Sequence, residues 1–284
     1  MSKVLLGMVT FGNLNFTKLA IQSIKETTTH PLDIFIVVGK PDDNDTIHWL
    51  DDNKDIQYVI HDVNFGFPKS VNDIYDFAWK QNDYDYIILA GNDIVAYPGS
   101  VDSIIHLADN SDYECISALQ YDVRDLTKDF PDTDKYFSGS NKIFTDFNER
   151  PWDRFTNYGG NPDIRDMQLY DIQNLCLYKR SLFNKVGYTD VAFYPAYFVD
   201  NDYARRIVNS RARCCTVANA RFFHFWSRTI HQEKGGSNDK FFKNNKEYYR
   251  VKWGGDFGEE KLSPPIKISD RLLEEQIINH WKHK

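Results

Sequence analysis

Apolar residues in the first 110 positions form four short continuous runs separated by polar segments. Runs of this length, rich in β-branched residues and bounded by turn residues, are typical of buried strands. The sequence therefore predicts four strands in this half, at KVLLGMVTF (3–11), DIFIVVG (33–39), IQYVIHD (56–62) and YIILAGND (86–93).

The segments that follow these runs carry apolar residues at helical spacing. Pro68 occupies the first turn of one of them, where a missing backbone N–H costs nothing. Strands and helices that alternate with short connections predict an α/β fold, with a mostly parallel central sheet flanked by helices. The predicted helices span residues 16–28, 45–53, 67–81 and 99–110.

Asp93 stands at the point where the fourth predicted strand ends. In open α/β sheets ligands bind beyond the carboxyl ends of the strands, which makes this carboxylate a candidate ligand-binding group. The alternative interpretation is a turn, because Gly91, Asn92 and Asp93 are all residues that turns prefer for backbone reasons.

Composition restricts the class of protein. A chain of 284 residues with 42% hydrophobic and 15% aromatic content can bury a large core as one large domain or two small ones. No apolar stretch is long enough for a membrane span, and the first residues resemble a strand more than a signal peptide. Four cysteines without C-x-x-C spacing favour a reducing cytoplasm over a disulfide framework.

Charge is unevenly distributed along the chain. The formal net charge is −7, yet residues 203–252 carry about +9. One interpretation is a solvated surface balanced by the acidic remainder. The other is a surface for an anionic ligand, such as a diphosphate, a phospholipid or a nucleic acid.

Several stretches together resemble the family 2 glycosyltransferases. VTFGNLNFTKLAIQSI (9–24) is similar to the family's opening strand and helix. Asn64, Gly66 and Asn72 in NFGFPKSVN match its N-x-G-x-x-x-x-x-N pattern. Asn92-Asp93 stands in the place of its Asp-X-Asp-like metal-binding turn.

Two later stretches are similar to the family's C-terminal motifs. LFNKVGYTDVAFYPAYFVDNDYARRI (182–207) matches a block that ends in an acidic E-D-x-D pattern, although Val199 replaces the acidic residue before Asp200. FFHFWSRT (222–229) resembles the segment whose histidine, here His224, completes the metal site. NNKEYYRVKWGG (244–255) resembles the family's ending.

The resemblance implies the GT-A fold and a set of site residues. It assigns Asp93 and His224 to a divalent cation, Mn²⁺ or Mg²⁺, and Asp200 to the general base of an inverting transfer. It also implies a GT-A domain over 1–255, with a nucleotide-sugar-binding half (1–110) and an acceptor-side half (111–255), before a C-terminal extension with a terminal helix (256–284). The nucleotide-binding positions implied are Thr10, Phe11, Asp43, Asn64, Gly66, Asn72, Asn92 and Arg206.

Structural roles compete with these assignments at three positions. Asp202 precedes most of a predicted helix and is interpreted first as its cap. Arg206, four residues later, forms a helix-surface ion pair in one interpretation and supports the substrate in the other. His224 lies in an aromatic run, where composition alone predicts a core histidine.

The donor's nucleotide is less clear from the sequence than its sugar-nucleotide class. The family's first aspartate after the second strand, which reaches the uracil base, is absent from Gly39-Lys40-Pro41. Asp43 or Asp45 is a substitute from the same loop. A UDP-linked sugar is therefore the first expectation, and another base remains an alternative.

The acceptor is expected to be a glycan or a lipid-linked saccharide hydroxyl, as for most relatives. The first alternative is a hydroxylated nucleobase of DNA, because aromatic residues interleave the basic segment 203–252 and such surfaces bind nucleic acids. The second alternative is a non-catalytic sugar-nucleotide-binding module, which the survival of Asp93, Asp200 and His224 disfavours.

Overall fold

The structure is a computed structural model that describes residues 1–122, 164–166, 174–225 and 237–261. Most of a long polar stretch, 121–173, interpreted from sequence as an acceptor-side insertion, lies outside the described residues. So do Ser227 and Thr229 of the FFHFWSRT motif and the predicted terminal helix beyond Lys261.

Nine strands of the described chain form one sheet, and the four strands predicted in the first half are among them. Their order across the sheet is β3-β2-β1-β4-β8-β6-β9-β5, with β7 paired to β9. The strands are β1 (Val4–Thr10), β2 (Leu32–Val38), β3 (Ile56–Ile60), β4 (Tyr86–Ala90), β5 (Ile94–Ala96), β6 (Cys115–Asp122), β7 (Ile164–Asp166), β8 (Leu175–Lys179) and β9 (Cys214–His224).

Seven α-helices flank this sheet within the described residues. The third helix continues as a short π-helical turn over Phe77–Gln81, which completes the segment predicted as one helix. The α-helices are α1 (Leu14–Thr27), α2 (Asn44–Asp52), α3 (Phe67–Asp76), α4 (Ser100–Asp109), α5 (Arg180–Val186), α6 (Val199–Asn209) and α7 (Ser237–Trp253).

Strand direction changes in the middle of the sheet. β3, β2, β1 and β4 are parallel, as the alternation of strands and helices predicts. β8 then runs antiparallel to β4 and to β6, and β5 runs antiparallel to β9. The α/β class with helices on both faces is confirmed, and the sheet is mixed rather than parallel beyond β4.

Alternation along the strands separates two cores. Val4, Leu6 and Met8 of β1 face the layer that contains α1 and α4, whereas Leu5 faces the layer that contains α3 and α6. Full burial of one such side chain contributes about 1.5–3 kcal/mol. The sheet is therefore fixed from both sides, and the carboxyl ends of β1, β2 and β4 open at one edge.

The described residues contain no disulfide and no helix suited to a membrane span. All four cysteines are free thiols, with the Sγ atoms of Cys115 and Cys176 3.5 Å apart. None of the helices in the described parts of the chain combines the length and the apolar character needed to cross a bilayer.

Candidate functional site

A buried chain of hydrogen bonds joins the ends of β1 and β4. The Asn92 amide donates to Thr17 Oγ1 at 3.2 Å, and Thr17 Oγ1 lies 3.1 Å from Thr10 Oγ1. Thr10 Oγ1 in turn donates to the Gly12 carbonyl at 3.1 Å. These bonds occupy the side chains of Thr10 and Asn92, so they shape the loop after β1, where Phe11 is half-buried.

Asp93 and His224 lie side by side at this edge of the sheet. They meet because β5 runs antiparallel to β9 with Ile94 opposite His224, and the Phe225 N–H donates to the Asp93 carbonyl at 2.8 Å. His224 Nε2 is 3.4 Å from Asp93 Oδ1, and each side chain is 12% exposed. The structure thus brings together two residues that are 131 positions apart in the sequence.

The chemistry of this pair fits a divalent cation. A carboxylate and an imidazole form a mixed oxygen and nitrogen donor set that suits Mn²⁺, and metals at phosphate-binding sites keep most positions for phosphate oxygens and water. No cluster of three or more His, Cys, Asp or Glu side chains suited to a metal occurs among the described residues. A cation held by this pair would take its remaining ligands from phosphate oxygens and water.

Asp43 fastens two loops at the same edge. Its Oδ2 accepts the Gly12 N–H at 3.1 Å, and its Oδ1 accepts the Thr46 N–H at 3.4 Å, which caps α2. The carboxylate is only 9% exposed. Asp43 therefore holds the loop after β1 against the start of α2, a contact that no sequence spacing indicated.

Asn64, Gly66 and Asn72 connect α3 to the segment before α6. Asn64 Oδ1 accepts the Gly66 N–H at 2.9 Å in a tight turn. The Asn72 amide donates to the Thr189 carbonyl at 3.0 Å, and its Oδ1 accepts the Thr189 N–H and hydroxyl. The Asn72 side chain is therefore fully used in holding this segment.

Gly66 is required by both conformation and space. Its φ of 83° with ψ of 165° belongs to a region that is essentially restricted to glycine. A Cβ atom at this position would lie 2.8 Å from Tyr194 Cδ2 and 2.9 Å from the Pro195 carbonyl oxygen. The adjacent Phe67 N–H donates to the same Pro195 carbonyl at 2.6 Å.

We expect Gly66→Ala to destabilise the protein more than Gly187→Ala. Gly187 also has a positive φ, 75°, but a Cβ atom there meets nothing within 4 Å. The loss of unfolding free energy in Gly187→Ala therefore measures backbone strain alone, about 1–3 kcal/mol. Gly66→Ala adds the clash with Pro195. Denaturant unfolding of both variants measures the difference, and equal losses would contradict the assigned contact.

Asp200 lies in the first turn of α6 and is half-buried. Its Oδ1 accepts the Asn201 N–H at 2.9 Å, and no cationic side chain pairs with it in the part of the chain that the structure describes. Burial raises the pKa of the Asp200 carboxyl, because desolvation disfavours its charged form more than the backbone N–H groups favour it.

Asp202 is fully buried and is held by three donors. Its carboxylate accepts the Arg206 Nε–H at 2.9 Å and the Trp253 indole N–H at 2.9 Å, and it lies 2.6 Å from Lys252 Nζ. Phe198 occupies the N-cap of α6 without a side-chain cap bond. The interpretation of Asp202 as the helix cap is therefore wrong, because its carboxylate points to α7 instead.

Arg206 and Lys252 complete a network of buried charges. Arg206 donates through Nη1 to the Val186 and Tyr188 carbonyls at 2.9 and 2.8 Å, in addition to its bond with Asp202. Lys252 Nζ bridges Asp202 and Asp190, each at 2.6 Å. Burial alone would raise the pKa of the Asp190 carboxyl, but the Lys252 ammonium outweighs it and holds that pKa below its usual range.

Solved glycosyltransferases share this arrangement of strands and helices. TarS from S. aureus in complex with UDP-GlcNAc aligns with a TM-score of 0.58 at 12% identity, over 99% of this chain and 71% of that chain. The mannosyltransferase PcManGT from Pyrobaculum calidifontis in complex with GDP-Man and Mn²⁺ aligns with a TM-score of 0.51 at 13% identity, over 78% and 56%. The chain has the GT-A fold.

The likeness to these structures is one of fold. A longer TarS structure aligns at 12% identity with a TM-score of 0.57, and the chain spans 43% of its length. No protein-family model and no curated protein matches the sequence. The GT-A fold is therefore established by structure, and the reaction is treated below as a proposal.

In this GT-A fold the basic segment 203–252 is partly neutralised by ion pairs. Ten of its cationic residues lie in the part of the chain that the structure describes, and six of these contact carboxylates. Phe222, Phe223, Phe225, Tyr249 and Trp253 are buried in the core rather than available for stacking. The pairs are Arg205–Glu260, Arg206–Asp202, Arg213–Asp112, Lys246–Asp256, Arg250–Glu247 and Lys252 with Asp190 and Asp202.

Three residues around the site were not singled out by the sequence. Thr17 links Asn92 to Thr10, Lys252 neutralises two aspartates, and Asn245 on α7 contacts the turn before Asp200. Thr17 meets Asn92 only through the packing of α1 against β5, the strand that follows Asn92. Lys252 was one cation among twelve in a basic segment, and nothing in the sequence distinguished its burial from the exposure of the others.

Proposed function

We propose that this chain is a metal-dependent, inverting glycosyltransferase that transfers a hexosyl or pentosyl group from a nucleotide sugar to an acceptor hydroxyl. The observation that carries the proposal is the pairing of Asp93 with His224 at the edge of a GT-A sheet. Relatives in fold hold UDP-GlcNAc, or GDP-Man with Mn²⁺.

Asp93 and His224 would hold the cation in this proposal. When bound, the cation stabilises the negative charge that develops on the leaving diphosphate. Asn92 and Thr10 fix the backbone around the donor through Thr17, and Asp43 fixes the loop at Gly12. In the proposal these residues orient the nucleotide by fixing the loops around it.

Asp200 is the proposed general base. Its carboxylate takes the proton of the acceptor hydroxyl as the new glycosidic bond forms, and the diphosphate carries the electrons of the broken bond. Asp190 and Asp202, its neighbours in sequence, are both paired with Lys252. Among the described residues, Asp200 is the one carboxylate of segment 190–202 without a cationic partner. Direct displacement needs only one such base opposite the leaving group, which supports inversion.

A thermal-shift screen of nucleotide sugars with and without Mn²⁺ tests the donor proposal. We expect a UDP-linked sugar to raise the melting temperature most, and to do so only with metal, because a ligand that binds the folded state stabilises it more the tighter it binds. GDP-linked sugars and free Mn²⁺ are the controls. If no nucleotide sugar changed the melting temperature under any condition, the proposed function would be contradicted.

Turnover separates an enzyme from a binding module. We expect purified protein with Mn²⁺ to hydrolyse its donor slowly without acceptor, because water can replace the acceptor hydroxyl. Donor binding without any hydrolysis or transfer would favour the non-catalytic sugar-nucleotide-binding module.

We propose a glycan or lipid-linked saccharide as the acceptor rather than a DNA base. Ion pairs take up six of the ten described cations of segment 203–252, and five of its aromatic residues are buried and cannot stack on bases. We therefore expect no duplex binding that weakens steeply with salt, the behaviour expected when phosphates release counterions. Filter binding of duplex at low and high salt checks this, and a steep dependence would favour the DNA alternative.

The cytoplasm is the proposed location. Free thiols at all four cysteines support it, because they are the state that a reducing compartment maintains.

A further inference from the structure

The turn that leads into Asp200 has an unfavourable backbone. Tyr197 and Phe198 have φ angles of 49° and 63°, in the left-handed region that residues with bulky side chains seldom adopt. Phe198 is also the N-cap of α6 and makes no side-chain cap bond. Such a turn persists only where surrounding contacts determine it.

One side chain of α7, that of Asn245, donates to three carbonyls of this turn. The Asn245 amide nitrogen donates to the carbonyl of Ala196 at 2.6 Å, of Phe193 at 3.0 Å and of Tyr197 at 3.3 Å. Asn245 is only 4% exposed. The two N–H groups of this buried amide are thus shared among three carbonyls of the turn.

Aromatic residues on the same face of α7 cover the turn. The Phe242 ring lies 5.4 Å from the Tyr197 ring and 5.3 Å from the Phe198 ring. The Tyr249 ring lies 5.7 Å from the Phe198 ring. Residues 242, 245 and 249 recur at helical spacing, so one face of α7 contacts the turn along its length.

Asp190 before this turn and Asp202 after it are also held by side chains of α7. Lys252 bridges Asp190 before the turn and Asp202 after it, and the Tyr248 hydroxyl donates to Asp190 at 2.8 Å. The segment from 190 to 202 is thus held at both ends and in the middle by one helix. Only Asp200 within it lacks a cationic partner among the described residues.

We propose that Asn245 is a positioning residue, which holds the 193–198 turn and thereby fixes the direction of the Asp200 carboxylate toward the acceptor. The inference rests on the proposed function for its catalytic consequence and on geometry for the contact itself. An amide suits this place because it donates to carbonyls, whereas a carboxylate would repel them.

Asn245→Ala tests the proposal, with Asn244→Ala as the matched control. Asn244 is the adjacent residue of the same type and is exposed, so its loss leaves the turn untouched. We expect Asn245→Ala to lower kcat by about 10²-fold while the donor affinity with Mn²⁺ stays within about twofold, since small misplacement of a reacting group has effects of this size. Asn244→Ala is expected to match the wild type in both.

Hydrogen exchange provides a readout that does not depend on turnover. We expect backbone amides in 193–201 to exchange faster in Asn245→Ala than in Asn244→Ala, with β1–β4 unchanged. If the wild type transfers no sugar, the proposed function fails, and the exchange difference still decides whether Asn245 holds the turn. Unchanged exchange in 193–201 would overturn the proposal, as would equal losses of kcat and donor affinity.

Phe242→Ala is the second variant, in case Asn245→Ala does not fold. The Phe242 side chain is 45% exposed, so its truncation leaves the core intact. We expect faster exchange in 193–201 and a smaller, selective loss of kcat. No change in either quantity would contradict the role of this face of α7.

Discussion

Asp200→Asn is expected to lower kcat by about 10²–10⁴-fold while metal and donor affinity stay near wild type. The reason is that the carboxylate acts only as the acceptor hydroxyl loses its proton, so it stabilises the transition state and not the bound donor. Steady-state kinetics with saturating donor, together with equilibrium binding of the nucleotide, measures both quantities.

Asp202→Asn is the matched comparison two residues away. Its carboxylate is fully buried between Arg206 and Lys252, so its removal leaves the Arg206 guanidinium without a carboxylate partner and Lys252 with Asp190 alone. We expect this variant to lose about 3–5 kcal/mol of the free energy of unfolding, as when a buried ion pair is broken. If Asp202→Asn instead folds normally but loses turnover, and Asp200→Asn stays active, Asp202 is the base.

The pH dependence gives an independent test of the base. Because burial raises the pKa of Asp200, the ionised form that accepts a proton appears only above the ordinary aspartate range near about 3.9. We expect kcat/KM to fall on the acid side at a pH above that range, and this limb to disappear in the residual activity of Asp200→Asn.

The same raised pKa determines the sign of the stability effect. The folded state binds the proton of Asp200 more tightly than the unfolded state does. This protonation therefore adds to the free energy of unfolding below the unfolded pKa, and the added stability is lost as the pH rises through the folded pKa. Asp200→Asn, which is neutral at every pH, is therefore expected to be as stable as the wild type or more stable at neutral pH.

Asp93→Ala is expected to abolish metal-dependent nucleotide binding. The carboxylate is one of two protein ligands proposed for the cation, and its partner His224 lies 3.4 Å away. A chelator should reproduce the loss in the wild type. Isothermal titration of nucleotide with and without Mn²⁺ measures the effect, and full activity in EDTA would contradict the metal assignment.

Asp52→Ala controls for a general effect of removing one negative charge. Asp52 is exposed at the end of α2, and no motif assigns it to the site. We expect it to retain metal-dependent binding. Loss in both variants to the same degree would assign the effect to charge and not to ligation.

Local sequence pattern was sufficient for the first half of the fold. The four runs predicted as strands became β1 to β4 within one or two residues at most ends, and the helices between them formed as expected. Burial of continuous apolar runs and helical spacing act over a few residues, so they are legible without a structure. The candidate residues Asp93 and His224 required the resemblance to be chosen together.

Tertiary structure alone decided what each polar side chain does. Asp202 forms ion pairs with Arg206 and Lys252 rather than capping the helix. The reason is that α7 packs against α6 and places Lys252, 50 residues away in the sequence, next to Asp202. The reversal of strand direction after β4 likewise depends on pairing with β8, which follows 85 residues later. Sequence determined the local elements, whereas contacts between distant segments determined the roles of the acidic residues in 190–202. Asp190 and Asp202 are paired with Lys252, and Asp200 has no cationic partner among the described residues.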